Sequence, residues 1–216
     1  MLLNQKDWSC PRKKQARQET IIEKYQQNFH KIIPKHKQYW TICGQCATPT
    51  GSPLAGSEPA QMIEKRLIYP EQFFGVEINQ DIHNLNTKAM PELNFINNDF
   101  YRAMLTAKSK LNFNPGIVNA DLPRTPDIGA SYIGRLMAFL TDTANDLLFV
   151  ANFILRMKYY SAKDGDYVLN SLNKNSNFRY AMTNANWDME DYYCEYPGTG
   201  NTGSRTYMGT FMFIKK

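Results

Sequence analysis

Residues 73–121 read FFGVEINQDIHNLNTKAMPELNFINNDFYRAMLTAKSKLNFNPGIVNAD, and they alternate short β-prone runs with segments of helical periodicity. This alternation is typical of βαβ units, which build a parallel sheet through right-handed crossovers. The segment therefore predicts an α/β fold. The predicted strands cover 73–78, 94–99 and 116–121, and the predicted helices cover 81–89 and 101–110.

The flanking sequence extends this pattern in both directions. The run LLFVANFIL at 147–155 is apolar apart from Asn152, as in a strand that is covered on both faces. We further predict helices over 11–36, 57–67, 131–143 and 167–172, a strand over 39–43, a strand or its lead over 178–182, and an aromatic C-terminal hairpin of 192–196 and 206–214 around a loop.

Length and composition favour one globular domain. The chain has 216 residues, of which 43% are hydrophobic and 21% charged, which excludes disordered and collagen-like classes. Four cysteines do not make a secreted disulfide framework, and the start has no apolar signal region. The longest apolar run is too short for a membrane helix, so we expect a cytoplasmic protein.

The positive charge is concentrated near the N-terminus. Residues 1–40 carry nine Lys and Arg against three acidic residues, whereas the whole chain has a net charge of +5. We therefore predict a basic N-terminal helical extension over 1–38, followed by the main domain over 39–216. The extension either binds RNA or DNA or packs its apolar stripe on the sheet edge, and both roles are compatible.

Acidic residues follow the predicted strands at a regular spacing. Glu77, Asp99 and Asp121 are separated by 22 residues each, and Gly44 follows the first strand. Ligands of open parallel sheets bind outside the carboxyl ends of the strands, where carboxylates can accept hydrogen bonds from ribose hydroxyls and an adenine amino group. The alternative is that these residues cap the helices that follow.

In these residues and in its terminal aromatic hairpin, the chain over about 39–216 resembles the class I S-adenosylmethionine-dependent methyltransferases. The motifs are FFGVEIN, FINNDF and NADLP. The resemblance implies a Rossmann-like three-layer sandwich whose mostly parallel seven-stranded sheet ends in an antiparallel hairpin. It also implies S-adenosylmethionine as cofactor, no metal, and methyl transfer to an acceptor for which nucleic acid is the preferred class.

The resemblance also implies roles for single residues. For the adenosine part, Glu77 would hold the ribose, Asp99 with Phe100 would contact the adenine, and Ile78 would pack on the face of the adenine. Gly44 would lie near the methionine moiety, and Asn119 and Asp121 would line the methyl-transfer site, with Asp121 as the candidate base. Arg124 and Lys158 would contact the substrate.

The first loop departs from the family pattern. In CGQCATPTG at 43–51, the turn directly after the strand has one glycine, Gly44, where the family has two or three, and NADLPR lacks the aromatic residue of the DNA amino-methyltransferase motif. A non-catalytic methyltransferase-like module that binds nucleic acid or a partner is therefore the alternative function. The lone pair Cys43 and Cys46 indicates either a redox or metal role or, as the favoured interpretation, ordinary buried cysteines.

Overall fold

A computed structural model describes residues 11–29, 33–110, 112–121, 125–143, 145–156, 165–184, 186–199 and 205–216. The strands are β1 (Gln38–Ile42), β2 (Phe73–Glu77), β3 (Asn94–Asn97), β4 (Pro115–Asp121), β5 (Leu147–Arg156), β6 (Trp187–Thr199) and β7 (Arg205–Lys215). The helices are α1 (Pro11–Phe29), α2 (Glu58–Glu64), α3 (Gln80–Ala89), α4 (Phe100–Lys110), α5 (Pro126–Thr141), α6 (Gly165–Asn173) and α7 (Ser176–Asn184).

The strands form one seven-stranded sheet in the order β3-β2-β1-β4-β5-β7-β6. Strands β1 to β5 pair in parallel, whereas β7 runs antiparallel to both β5 and β6. The predicted α/β architecture with a C-terminal antiparallel hairpin is confirmed. The strand order reverses between β1 and β4, which is the point at which open α/β sheets bind ligands.

Helices cover both faces of the sheet, and each face has its own apolar cluster. On one face, α4, α5, α6 and α7 pack against Trp40, Val118 and Phe149. On the other face, α1 and α2 pack against Tyr39, Ile117 and Val150. Alternate residues of β1, β4 and β5 thus face opposite layers, which explains why apolar residues occur at both odd and even positions of these strands.

Helix α1 belongs to the second apolar cluster. Its residues Ile21, Ile22 and Tyr25 are buried in that cluster together with strand residues. Glu19 of α1 also forms an ion pair with Lys65, which follows α2. The predicted apolar stripe therefore packs against the main domain.

Several predicted boundaries were wrong. Helix α1 ends at Phe29, well before position 36, and α2 ends at Glu64 rather than near 67. Helix α5 begins at Pro126, inside a segment predicted as loop, because Thr125 takes the N-cap position and Pro126 suits the first turn.

The C-terminal third contains the largest error. Residues 178–182 lie in helix α7, because Phe178 and Ala181 are spaced for one helical face and are buried together. Strand β6 also continues through position 199, into the segment predicted as loop. Within the described ranges, no helix is both long enough and apolar enough to span a bilayer.

Candidate functional site

The exits of β1, β2 and β3 carry a row of residues that we call the strand-end rim, defined as Gly44, Glu77, Ile78 and Asp99. The Oε1 atom of Glu77 accepts a hydrogen bond of 2.7 Å from the backbone amide of Asn79. Asn79 in turn caps α3, and Ile78 between them has 72% of its surface exposed. The end of β2 therefore presents a held carboxylate next to an exposed apolar side chain.

The carboxylate of Asp99 lies at the start of α4 and is fixed by two donors. Its Oδ1 accepts from the amide of Arg102 at 3.1 Å, and its Oδ2 accepts from the Tyr132 hydroxyl at 3.2 Å. That hydroxyl accepts from the amide of Tyr101 at 2.9 Å. Burial, and then the nearby Asp99 charge, raise the pKa of Tyr132, so its proton stays on the oxygen that faces Asp99. Asp99 therefore acts as a helix cap with a fixed orientation.

Phe100 has a different environment from its neighbour Asp99. Its side chain is 4% exposed and packs in the apolar cluster of α4 with Ala103 and Met104. The contact with adenine that the resemblance implies for Phe100 remains a prediction.

The loop after β1 combines an open backbone position with a buried anchor. Gly44 has φ +54°, and no atom lies within 4 Å of the place where a Cβ would stand. The carboxamide of Asn86, fully buried in α3, donates to the Gly44 carbonyl at 2.7 Å and accepts from the Cys46 amide at 2.8 Å. The backbone of the loop is thus held by Asn86, while the space next to the Cα of Gly44 is open.

The two cysteines of this loop contact each other. The hydrogen bond with Cys46 and the burial of the thiol raise the pKa of Cys43 well above its usual value. A thiol with a raised pKa forms little of the thiolate that redox and metal chemistry need. Among the described residues, no group of three or more His, Cys, Asp and Glu is arranged to hold a metal ion.

Below the rim lies a second set of polar residues, the buried polar cluster, which centres on Glu58. Its carboxylate accepts hydrogen bonds from the hydroxyl of Tyr39, from Thr41 Oγ1 at 3.0 Å and from Asn119 Nδ2 at 2.9 Å. Glu58 is the first residue of α2 and is 7% exposed. Its side chain therefore joins α2 to β1 and β4 at the point where the strand order reverses.

The cluster continues across the sheet through Asn119. The Oδ1 atom of Asn119 accepts from Asn152 Nδ2 at 3.0 Å, and Asn152 Oδ1 accepts from Thr210 Oγ1 at 2.5 Å. Asn119, Asn152 and Thr210 are all fully buried. The chain of hydrogen bonds thus connects β4, β5 and β7 inside the layer of α1 and α2.

The structure therefore separates the residues that the sequence grouped together. Glu77, Ile78 and Asp99 lie on the rim beside Gly44, whereas Asn119 is enclosed with both ends of its amide occupied. Asp121 is half-buried at the last position of β4. Arg124 and Lys158 lie outside the described residues.

Sequence reasoning missed three polar residues of this region, namely Glu58, Asn86 and Tyr132. A signal existed for Asn86, because it shares a helical face with Ile82 and Ala89 and a polar side chain on an apolar stripe needs partners inside the protein. Glu58 gave no such signal, because it follows an N-cap residue and acidic residues are common in the first turn of a helix.

No protein-family model matches this sequence, and no curated protein matches it. The structure is similar to that of a Thermoplasma acidophilum protein at 11% identity, over 90% of this chain and 82% of that chain, with a TM-score of 0.48. It is similar to M. jannaschii TYW2 in complex with AdoMet at 7% identity, over 97% and 78%, with a TM-score of 0.48. The structure is also similar to that of a TehB-like SAM-dependent methyltransferase from Corynebacterium glutamicum at 11% identity, over 94% of this chain and 100% of that chain, with a TM-score of 0.41.

Proposed function

We propose that the chain binds S-adenosylmethionine at the strand-end rim and transfers its methyl group to a nucleic acid. One observation carries the proposal: the sheet order β3-β2-β1-β4-β5-β7-β6, with Gly44 and Glu77 at adjacent strand ends beside the reversal point. An antiparallel strand inserted before the last strand is what the sequence resemblance predicts for this family. Fold alone leaves function open, so the rim residues must also suit the ligand.

The rim residues fit the adenosine part of the cofactor. An ionised carboxylate offers about four acceptor positions, and Asp99 uses one on each oxygen. Glu77 keeps acceptor capacity for two ribose hydroxyls, because one amide contacts its Oε1. The exposed Ile78 offers an apolar surface to a purine ring.

The loop fits the rest of the cofactor. A ligand can approach the backbone at Gly44 closely, because the space that a Cβ would face is open. A single glycine, Gly44, in the turn directly after β1 is therefore compatible with binding, although the family pattern has more there.

The chemistry asks little of the protein. The cofactor supplies an activated methyl group when bound, so the residues of this chain must align the acceptor and accept its proton. Asp121 is the candidate base, since it ends β4 next to the reversal point. Asn119 supports that strand end from below through Glu58 and Asn152.

A nucleic-acid acceptor is supported by the charge of the N-terminal segment. Four basic residues at 12–17 precede the part of α1 that packs on the domain. Clustered Lys and Arg attract phosphates over a distance set by the ionic strength. Arg124 and Lys158 remain predicted substrate contacts.

The test is calorimetric titration with S-adenosylmethionine and S-adenosylhomocysteine, followed by transfer of labelled methyl groups to RNA and to DNA. We expect micromolar binding, or about −8 kcal/mol, and no binding by the double variant Glu77→Ala with Asp99→Ala. Glu71→Ala is the matched control, because Glu71 is an exposed carboxylate at the opposite end of β2.

Two results would overturn the proposal. Unchanged binding by the double variant would exclude the rim as the site. Nucleic-acid binding by a wild-type protein that takes up no cofactor would favour the non-catalytic module.

A further inference from the structure

We infer that Asn86 is the positioning residue of the cofactor loop, which holds the backbone at Gly44 and Cys46 ready for the ligand. The inference rests on the proposed function, because it assigns the loop to the cofactor. Asn86 belongs to α3, which follows β2, so it contacts the loop from a different βαβ unit. Its role is to act through the loop and not to touch the cofactor.

The contacts of Asn86 use both ends of its carboxamide. Its Nδ2 donates to the Gly44 carbonyl at 2.7 Å and lies 3.9 Å from Cys43 Sγ, while its Oδ1 accepts from the Cys46 amide at 2.8 Å. If the amide were inverted, Oδ1 would face the Gly44 carbonyl oxygen and Nδ2 would face the Cys46 amide. Both contacts would be repulsive, so the hydrogen bonds define one orientation of the carboxamide. One side chain thereby fixes the spacing of two backbone groups on either side of Gln45.

The loop needs such an anchor because its other hydrogen bonds are largely internal. Leu54 donates to the Cys46 carbonyl at 2.8 Å, and Thr48 donates to the Ser52 carbonyl at 2.7 Å. Ala47 and Pro53 form an antiparallel bridge between them. These bonds close the loop on itself, whereas the bonds of Asn86 join it to the body of the domain.

Asn86 holds the residue of the loop that offers open space. Gly44 adopts φ +54° and no atom lies within 4 Å of the place where a Cβ would stand, while its carbonyl accepts the hydrogen bond from Asn86. A loop that is already ordered binds with less loss of conformational entropy than one that orders on binding. Here a side chain from α3 supplies that order.

The central experiment compares Asn86→Leu with Asn94→Leu. Asn94 is the matched control, because its Nδ2 also donates to backbone carbonyls, those of Phe73 and Glu71. It is the first residue of β3, so it lies at the amino-terminal end of its strand, whereas the loop follows the carboxyl end of β1. Each variant is first shown to be folded by circular dichroism and then titrated with S-adenosylhomocysteine. We expect Asn86→Leu to bind about tenfold more weakly, since it loses two hydrogen bonds to the loop, and Asn94→Leu to bind like the wild type.

A conservative variant provides a pH profile. Asn86→Asp keeps the acceptor for Cys46 but places a carboxylate oxygen against the Gly44 carbonyl, and only the protonated acid can donate there. Its affinity for S-adenosylhomocysteine should therefore rise as the pH falls, whereas the wild-type affinity should not follow this profile. A role in stability alone predicts no such profile in the folded protein.

A second readout needs no cofactor. The Cys46 thiol is 1% exposed, so its alkylation, located by peptide mass spectrometry, reports opening of the loop. We expect faster labelling of Cys46 in Asn86→Leu and an unchanged rate in Asn94→Leu. Unchanged labelling, or a folded Asn86→Leu protein that binds cofactor like the wild type, would overturn the inference. Faster labelling in a protein whose wild type binds no cofactor would overturn the proposed function and leave the anchoring role intact.

Discussion

The buried polar cluster joins α2 to β1, β4, β5 and β7, whereas the strand-end rim follows β1, β2 and β3, and the two regions differ in how their polar side chains are enclosed. In the cluster, the carboxylate of Glu58 has three donors and the residues are at most 7% exposed. On the rim, the carboxylates of Glu77 and Asp99 are half-buried and retain acceptor capacity. The two regions thus differ in burial and in the number of hydrogen-bond donors per carboxylate, and not in residue type.

The same difference in burial separates two residues of a single strand, β4. Asn119 and Asp121 are two positions apart on β4, but Asn119 is enclosed by Glu58 and Asn152 while Asp121 ends the strand at the edge. We therefore expect substitutions in the cluster to lower stability and substitutions on the rim to lower affinity. The predictions below test this division, beginning with the largest effect.

Glu58→Ala should lower the free energy of unfolding by about 4 kcal/mol, because it leaves three buried donors without their shared acceptor. Urea denaturation measures the change. The matched control is Glu64→Ala, because Glu64 is an exposed carboxylate in the same helix, and its effect should stay within about 0.5 kcal/mol.

Glu58→Gln provides a milder variant, since it keeps one acceptor oxygen, and it should lie between the two alanine variants. Equal losses of stability for Glu58→Ala and Glu64→Ala would contradict the structural role of the cluster.

The fold was largely predictable from the sequence, and the failures have physical causes. Apolar runs such as 147–155 identify buried strands, because a strand covered on both faces presents apolar side chains to both layers. Residues 178–182 carry aromatic side chains that favour strands, but packing of Phe178 against α5 and the sheet overrides that local preference. The predicted helix over 131–143 leaves out Pro126, although proline is common in the first turn of a helix.

The candidate site was predictable in position but not in its partners. The regular spacing of Glu77 and Asp99 places them at one edge of a parallel sheet, so their neighbourhood follows from the βαβ pattern. The partnership of Glu58 with Asn119 joins residues 61 positions apart, and no local pattern encodes it. For the same reason the enclosure of Asn119 became apparent only from the structure.

Two buried tyrosines sharpen the comparison at the level of a single hydroxyl. Tyr39 donates to Glu58, whereas the Tyr25 hydroxyl has no hydrogen-bond partner among the described residues. Tyr39→Phe should cost about 2 kcal/mol, because a hydrogen bond to a carboxylate is lost, and Tyr25→Phe should change stability by less than about 0.5 kcal/mol. The urea midpoints of the two variants measure these changes. Equal losses of stability would contradict a stabilising contribution of the hydrogen bond between Tyr39 and Glu58.

The buried hydroxyl of Tyr25 also predicts a change of stability at alkaline pH. Burial, with a smaller effect of Asp146, raises the pKa of Tyr25 from 10.0 to about 12 in the folded protein. The unfolded chain therefore loses this proton first, so the associated stability is present below pH 10 and is lost as the pH rises through 12. Tyr25→Phe should show a shallower loss of stability over that range than the wild type, and an identical pH dependence would contradict the assignment.

Gly44→Ala should have a small effect on stability and still affect the ligand. Gly44 and Gly51 lie in the same loop with φ +54° and +84°, so an alanine at either position should cost about 1 kcal/mol of backbone strain. The added methyl group at Gly44 enters the open space of the rim, whereas at Gly51 it meets the side chain of Lys88 at 3.9 Å. We therefore expect similar urea midpoints for the two variants but weaker binding of S-adenosylhomocysteine for Gly44→Ala alone. Since the strain is matched, equal affinities in the two variants would show that the ligand does not approach Gly44, and the rim would then have to be redrawn around Glu77 and Asp99.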